Sequence, residues 1–287
     1  MFNLARRHIK IYFRDPWAVF FSLLSVFILL GLFVLFLNMN INSALPAQLQ
    51  GTSEGEYLVY SWILSGVLLI SMVTVPLGVL GMMVEDKESK AIYDFYVSPI
   101  DRTQVVFSYL LAALVVALLI GSLNLFAGIG ILWWVSGYTL PMFDLVTIFG
   151  LMILTAFLFS GLFYYVVSFV KTNAAHGALS TLTGTLIGFF AGIYVPVGIF
   201  GRGLQTTLGS LPFMQGAALI RDVYMRDAIE VVFGSNQEAA DRFRQVFGLE
   251  IVWNDQALES WILLAVLGAW TILFVSLSIF RIKNVKL

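Results

Sequence analysis

The sequence predicts an all-α integral membrane protein: six transmembrane helices, an amphipathic interfacial helix before them, a short charged helix on the cytoplasmic side and a re-entrant segment before the last span. Three observations predict it. The 287 residues are 60% hydrophobic and 11% charged, with a mean hydropathy of +0.92, whereas a soluble domain carries about 45–50% apolar and about 25% charged residues. Charges interrupt the chain so rarely that six uncharged stretches, 16–53, 57–84, 103–143, 145–170, 172–201 and 260–280, each reach 21 residues or more. A spanning helix needs roughly 20 apolar residues. Finally, most of the lysines and arginines, 11 of 16, fall on one side of the spans those stretches define.

Within the stretches the spans lie near Trp17–Leu37, Leu58–Met83, Val105–Trp133, Leu145–Val170, Ala174–Phe200 and Leu258–Phe280. With both termini cytoplasmic, the inner segments hold 11 of the 16 basic residues, including all six lysines. The two short outer loops hold none, as the positive-inside rule requires. The first span follows a basic flank, but its apolar run is too long for a signal peptide and no A-x-A site follows it, so it reads as uncleaved.

Residues 1–15 form the first unit and 16–287 the six-span domain. In the first unit Arg6, Arg7, Lys10 and Arg14 share one helical arc, with Phe2, Leu4, Ile9, Ile11, Tyr12 and Phe13 on the opposite arc. Such a helix lies in the headgroup plane, or serves as the positive flank of the first span. Asp15-Pro16 ends it.

Between the second and third spans acids and bases alternate through Glu85, Asp86, Lys87, Glu88 and Lys90. Ile92, Phe95, Tyr96 and Pro99 follow at three/four spacing, then Arg102. A short helix stopped by Pro99 fits, either as a docking helix for a cytoplasmic partner or as a capped turn between spans. Beyond the fifth span, 201–257 forms a long outer segment. Its uncharged run 203–220 is short and broken by Gly209 and Pro212, so it reads as re-entrant or interfacial. Helix signals follow: Val223–Phe233 ends at Gly234, Ser235-Asn236-Gln237-Glu238 forms a capping box, and Gly248 is a stop. Leu249–Trp253 suits a short strand. Asp222 and Asp227 are expected to pair with Arg221 and Arg226 on a solvated helix.

No Asp, Glu, Lys or Arg lies inside a span, where ion-coupled carriers usually place them. A P-loop and H-E-x-x-H are missing, and there is no cysteine and only two histidines. The chain thus shows neither an energy source nor chemistry of its own, and its net charge of −1 gives no nucleic-acid footprint. The fifth span carries Thr181, Thr183 and Thr185 beside Gly184, Gly188 and Gly192, and the second carries Ser61, Ser65, Ser71, Thr74, Pro76, Gly78 and Gly81. Glycines four apart let another backbone approach closely. This texture fits packing within one bundle, a subunit interface or the wall of a transport path. Asn124 in the third span needs a hydrogen-bond partner.

This order of elements resembles the permease subunits of type-2 ABC exporters, the class that includes daunorubicin-resistance-type drug permeases. The most specific patch is Asp86-Lys87-Glu88-Ser89-Lys90-Ala91-Ile92-Tyr93-Asp94-Phe95-Tyr96-Val97-Ser98-Pro99-Ile100-Asp101-Arg102. It is similar to the family's E-R-E-x-G-T-x-E-x-L-x-x-x-P-[IL]-x-R. Asp86, Lys87 and Glu88 stand for acid–base–acid, and Phe95, Pro99, Ile100 and Arg102 match. Lys90 and Ala91 replace the usual Gly-Thr, and Tyr93 replaces the second Glu. Gly203–Ile220, with Leu211-Pro212, looks like the family's re-entrant hairpin.

The resemblance implies a coupling helix built from Glu85, Asp86, Lys87, Glu88, Ile92, Phe95, Tyr96, Pro99 and Arg102, seated on a separate ATP-binding subunit. It implies two permeases and two ATPases per complex, with ATP and Mg in the ATPases and no cofactor on this chain. The second and fifth spans would face the second permease, as homodimer or heterodimer, around a path that includes Ser65, Thr74, Thr181, Thr185, Gly184, Gly188 and Gly192. The expected place is a bacterial cell membrane, and the expected cargo is a hydrophobic or amphipathic molecule. The rival readings are an ATP-independent pore or lipid scramblase, and an integral-membrane enzyme.

Overall fold

The computed structural model describes residues 2–17, 19–20, 31, 49–91, 100–234, 236–253 and 256–283. The chain order is α1 (Phe2–Arg14), α2 (Ser53–Val79), α3 (Gly81–Glu88), α4 (Arg102–Ser136), α5 (Met142–Val167), α6 (Asn173–Phe190), α7 (Arg202–Gly209), α8 (Pro212–Tyr224), α9 (Arg226–Phe233), α10 (Gln237–Phe247), β1 (Val252–Trp253), β2 (Gln256–Ala257) and α11 (Ser260–Lys283). Among the described residues four helices have the length and apolar character to cross a bilayer: the run Ser53–Glu88, α4, α5 and most of α11.

Packing follows from which helices are apolar all round. α2 is apolar on every face and buried along almost its whole length, as a central helix must be. It packs against α4, α5, α6, α8 and α9. Thr52 caps it, its side chain accepting from the Gly55 N–H at 3.2 Å. α11 is equally apolar but mostly uncovered, with Trp261, Ile272 and Phe280 exposed, and it packs against α5, α4 and α8 on its inner side. Exposed aromatic residues sit near both ends of the bundle: Trp133, Trp134, Phe143 and Trp261 at one, Phe169 and Phe280 at the other. Aromatic belts of this kind mark the two membrane interfaces. Asn124 finds its partner between helices, donating to the Ser71 hydroxyl at 2.7 Å.

The first expected span, 17–37, lies outside the described residues except at Trp17, Val19, Phe20 and Gly31. The fifth is helical only over Asn173–Phe190, and the expected continuation to Phe200 does not form. There the chain doubles back: the N–H groups of Ile193 and Tyr194 both donate to the Gly188 carbonyl, at 2.7 and 3.0 Å. Gly192 adopts φ +59, a conformation that favours glycine. The run 203–220 is broken where Gly209 and Pro212 predict, α7 ending at Gly209 and α8 starting on Pro212. α8 then lies against α2, α5 and α11. Gly234 and Gly248 end α9 and α10 with positive φ, and Asn236 caps α10 by accepting from Ala239 N–H at 3.2 Å. β1 and β2 pair antiparallel with Val252 opposite Ala257.

Candidate functional site

α3 follows α2 after a break at Leu80. Pro76 has no N–H to give the preceding turn, and the helix stops at Val79. The Leu77 carbonyl lies in the last turn before this break. His176 of α6 takes it, its Nε2 donating at 3.0 Å. Gly81 makes room for that ring: a Cβ there would lie 2.9 Å from a ring carbon of His176.

The three charges that end α3 point to three different places in the chain. Asp86 is buried. It accepts from both Nη atoms of Arg7 on α1 at 3.4 Å and from the Tyr109 hydroxyl on α4. His8 stacks on Tyr109, ring centroids 4.1 Å apart, and burial beside Arg7 lowers its pKa to about 4, with Asp86 opposing. Lys87 Nζ donates to the carbonyls of Val167, Ser168 and Val170, at 3.2, 3.0 and 3.3 Å. Ser168 and Val170 lie just past Val167, the last residue of α5, whose carbonyl also accepts from the Val170 N–H at 3.0 Å, and a cation is favoured at a helix C-terminus. Glu88 accepts from the Asn173 N–H at 3.0 Å, a carboxylate at the N-terminus of α6. One turn of helix is therefore bonded to α1, α4, α5 and α6 and is continuous with α2.

Asp86 and Lys87, expected to meet a partner protein, thus spend their hydrogen bonds on their own chain. Glu85 is exposed, as is Glu88 beside its bond to Asn173. Arg102 is half-buried at the start of α4, where the Asp101 side chain accepts from Thr103 N–H at 3.1 Å. Ile92, Phe95, Tyr96 and Pro99 lie outside the described residues. Lys90, standing where the resembled pattern has glycine, has φ +65. The backbone keeps the glycine-favouring turn although the side chain has changed.

The candidate path residues divide. Ser65 is fully buried and donates to the Trp62 carbonyl at 2.7 Å, while Thr74 donates to Ile70 O at 2.9 Å. Thr181 and Thr185 are exposed and bonded only within α6. Nothing lies within 4 Å of where a Gly184 Cβ would stand. Gly188 is different: a Cβ there would meet the Tyr194 ring at 2.3 Å. The three glycines do not form one open stripe, because Gly188 packs under its own chain and Gly192 lies past the end of the helix.

At the opposite end of the bundle the expected ion pairs are corrected. Asp222 pairs with Arg244 at 2.6 Å, Arg226 with Asp144 at 2.7 Å, and Asp227 accepts from the Tyr57 hydroxyl at 2.9 Å. Arg221 has turned inward. It is fully buried and donates to the carbonyls of Gly192 at 2.8 Å, Gly248 at 3.4 Å and Phe247 at 3.5 Å. Its guanidinium stands 5.4 Å from the Trp62 ring centroid, and Trp62 Nε1 also donates to Phe247 O at 3.0 Å. This arginine of α8 ties the turn after α6 to the end of α10 through backbone carbonyls and to α2 through the Trp62 ring. The sequence signal was present in the apolar neighbours Ala217, Ala218, Leu219, Ile220, Val223 and Tyr224, which leave no solvent face for position 221.

Among the described residues no group of three or more His, Asp or Glu is placed to hold a metal ion. The arrangement is mechanical: a charged junction at one end, a buried cationic tie at the other, and membrane-length helices between. A comparison with curated proteins returns no match. The family described as ABC-2 family transporter protein matches residues 34–280, which is most of the chain and takes in α3, the Arg221 tie and, up to Phe280, the membrane-length helices among the described residues. The chain therefore belongs to the ABC-2 transporter family, as a multi-pass membrane permease.

Proposed function

We propose that this chain is the transmembrane subunit of an ATP-driven exporter, working with a second permease and two separate ATP-binding subunits. ATP and Mg bind in those partners, and hydrolysis belongs to them. The cargo is a hydrophobic or amphipathic molecule such as a drug, toxin, peptide or lipid-linked compound. In this reading the α1 and α3 end faces the cytoplasm of a bacterial cell, which puts Lys87, Lys90 and Lys171 inside, and 201–257 faces outward.

The observation that carries the proposal is the bonding of α3. The ATP-binding subunit grips the segment that starts at Glu85 and Glu88 and runs to Arg102. A rigid shift of that segment reaches α4 and α1 through Asp86, α5 through Lys87, α6 through Glu88 and α2 through the chain itself. His176 adds a second tie between α6 and the α2–α3 break. A push at one loop therefore moves the second and fifth spans together, which alternating access requires. ATP must favour one of the two arrangements through differential binding. The open face of α6, with Thr181, Gly184 and Thr185, is where the second permease and the path between the two copies belong.

The test has two parts. Purification from membranes in mild detergent should recover a P-loop protein in stoichiometric amount. The double variant Glu88→Lys, Phe95→Ala should keep the complex's ATPase activity while transport falls at least tenfold. Normal transport in that variant removes the coupling assignment. Solute conduction or lipid flipping by the purified chain without nucleotide would favour the pore or scramblase instead.

A further inference from the structure

Two hollows lie side by side at the end of the bundle where α11 begins. The first is a cavity of about 500 Å³, within the size range of ligand sites. Its polar wall comes from Arg202, Gln205, Thr206, Gln245 and Glu250. The second, of about 440 Å³, is an apolar groove along α11, lined by Trp253, Val266, Ala269, Trp270 and Leu273. Gly209, the last residue of α7, is in the wall of both. The β1–β2 hairpin also borders both, through Val252 and Ala257 on the polar side and Trp253 on the apolar side.

The groove has a direction. Val266, Ala269, Trp270 and Leu273 are spaced i, i+3, i+4 and i+7, one face of a helix. At 1.5 Å per residue they run from roughly 9 to roughly 20 Å beyond Ser260. That reaches about the middle of a hydrocarbon core roughly 30 Å thick. α11 is among the membrane-length helices and only 22% of its apolar window is buried within the chain, so the groove opens sideways to lipid. The cavity carries one cation and one anion, together with neutral amide and hydroxyl groups.

We propose that cavity and groove form one side-entry site for a single-chain zwitterionic amphiphile from the adjoining leaflet, its headgroup between Arg202 and Glu250 and its chain against Trp270 and Leu273. This rests on the export reading and names the class of molecule that the permease handles or is regulated by.

The test uses the full chain in phosphatidylglycerol vesicles, probed with a lysophosphatidylcholine that carries a photoreactive diazirine in mid-chain. Cross-links are mapped by peptide mass spectrometry. Labelling should concentrate on Val266–Leu273, and a fivefold excess of plain lysophosphatidylcholine should compete it. Ala269→Trp, which fills the groove, should reduce it at least fivefold with an unchanged melting temperature. Glu250→Gln should weaken it severalfold, while a diazirine-bearing fatty alcohol should label the groove poorly. Labelling no stronger than at exposed Ile272, or insensitive to competitor and to Ala269→Trp, overturns the site. Equal labelling by the fatty alcohol overturns the headgroup assignment. The assay needs no ATPase partner, so its failure is separable from failure of the pull-down above.

Discussion

Position 90 shows how a single residue carries both strain and history. A lysine at φ +65 costs roughly 1–2 kcal/mol through its Cβ, part of which glycine would return to the freedom of the unfolded chain. Lys90→Gly should therefore stabilise the protein by about 0.5–1 kcal/mol, read as a rise in the detergent-solubilised melting temperature; a fall would mean that the lysine side chain makes a contact worth more than the strain. His8 offers a pH test. Its pKa is about 4 when folded against 6.5 ordinarily. Above pH 6.5 both states are neutral and nothing is gained or lost. As pH falls from 6.5 to 4 the undocked ring takes a proton and the docked ring does not, so docking weakens, by on the order of 3 kcal/mol at the lower limit. Hydrogen exchange at α1 amides should accelerate over that window, and His8→Phe should remove the pH dependence. A wild-type profile flat from pH 7 to 4 would remove this account of the histidine.

At the scale of the element, α3 is defined less by its own helix than by what it satisfies. Lys87 serves three carbonyls, and Lys87→Met would leave the C-terminal acceptors of α5 without their cation. Each buried acceptor left unmet costs about 1–3 kcal/mol, so the variant should lose at least that much stability, with Lys87→Arg restoring part of it. Urea or thermal unfolding of the two variants decides it, and equal stability of Lys87→Met and wild type would mean that water replaces the lysine. This element also marks where sequence reasoning ends. The charge-free runs predict α2, α4, α5 and α11, because a charge deep in lipid is costly whatever the helix packs against. Turn chemistry likewise predicts the stops at Gly209, Gly234 and Gly248. The targets of Asp86, Lys87 and Glu88 are tertiary: Arg7, Val167 and Asn173 stand about eighty residues away in either direction, and no local spacing encodes them. Arg221 is a mixed case: its apolar neighbours signal burial, while its partners at Gly192, Phe247 and Gly248 are tertiary. Its neighbour Asp222 is the obvious local partner, yet burial among α2, α6 and α10 decides otherwise.

For the whole molecule, the distribution of uncovered surface allows a test of the proposed second copy. α6 and α11 are both poorly covered, but in different ways. α11 exposes Trp261, Ile272, Leu273 and Phe280, large apolar groups at home against acyl chains. α6 exposes Leu182 and Phe189 as well, but it also exposes Thr181 and Thr185 and leaves open space at Gly184. Small and hydroxyl-bearing surfaces gain little from lipid and much from a closely approaching helix. The chain has no cysteine, so single cysteines report without background. Gly184→Cys and Thr185→Cys should each give a disulfide-linked species of twice the mass when native membranes are oxidised. Ile272→Cys, at equal expression, should stay monomeric. If partner and ATP set the separation of the two copies, trapping the complex with a non-hydrolysable ATP analogue should change the Gly184→Cys cross-linking rate severalfold. Equal cross-linking at positions 184 and 272 would mean random collision in the bilayer, and α6 would then be a lipid-facing helix like α11.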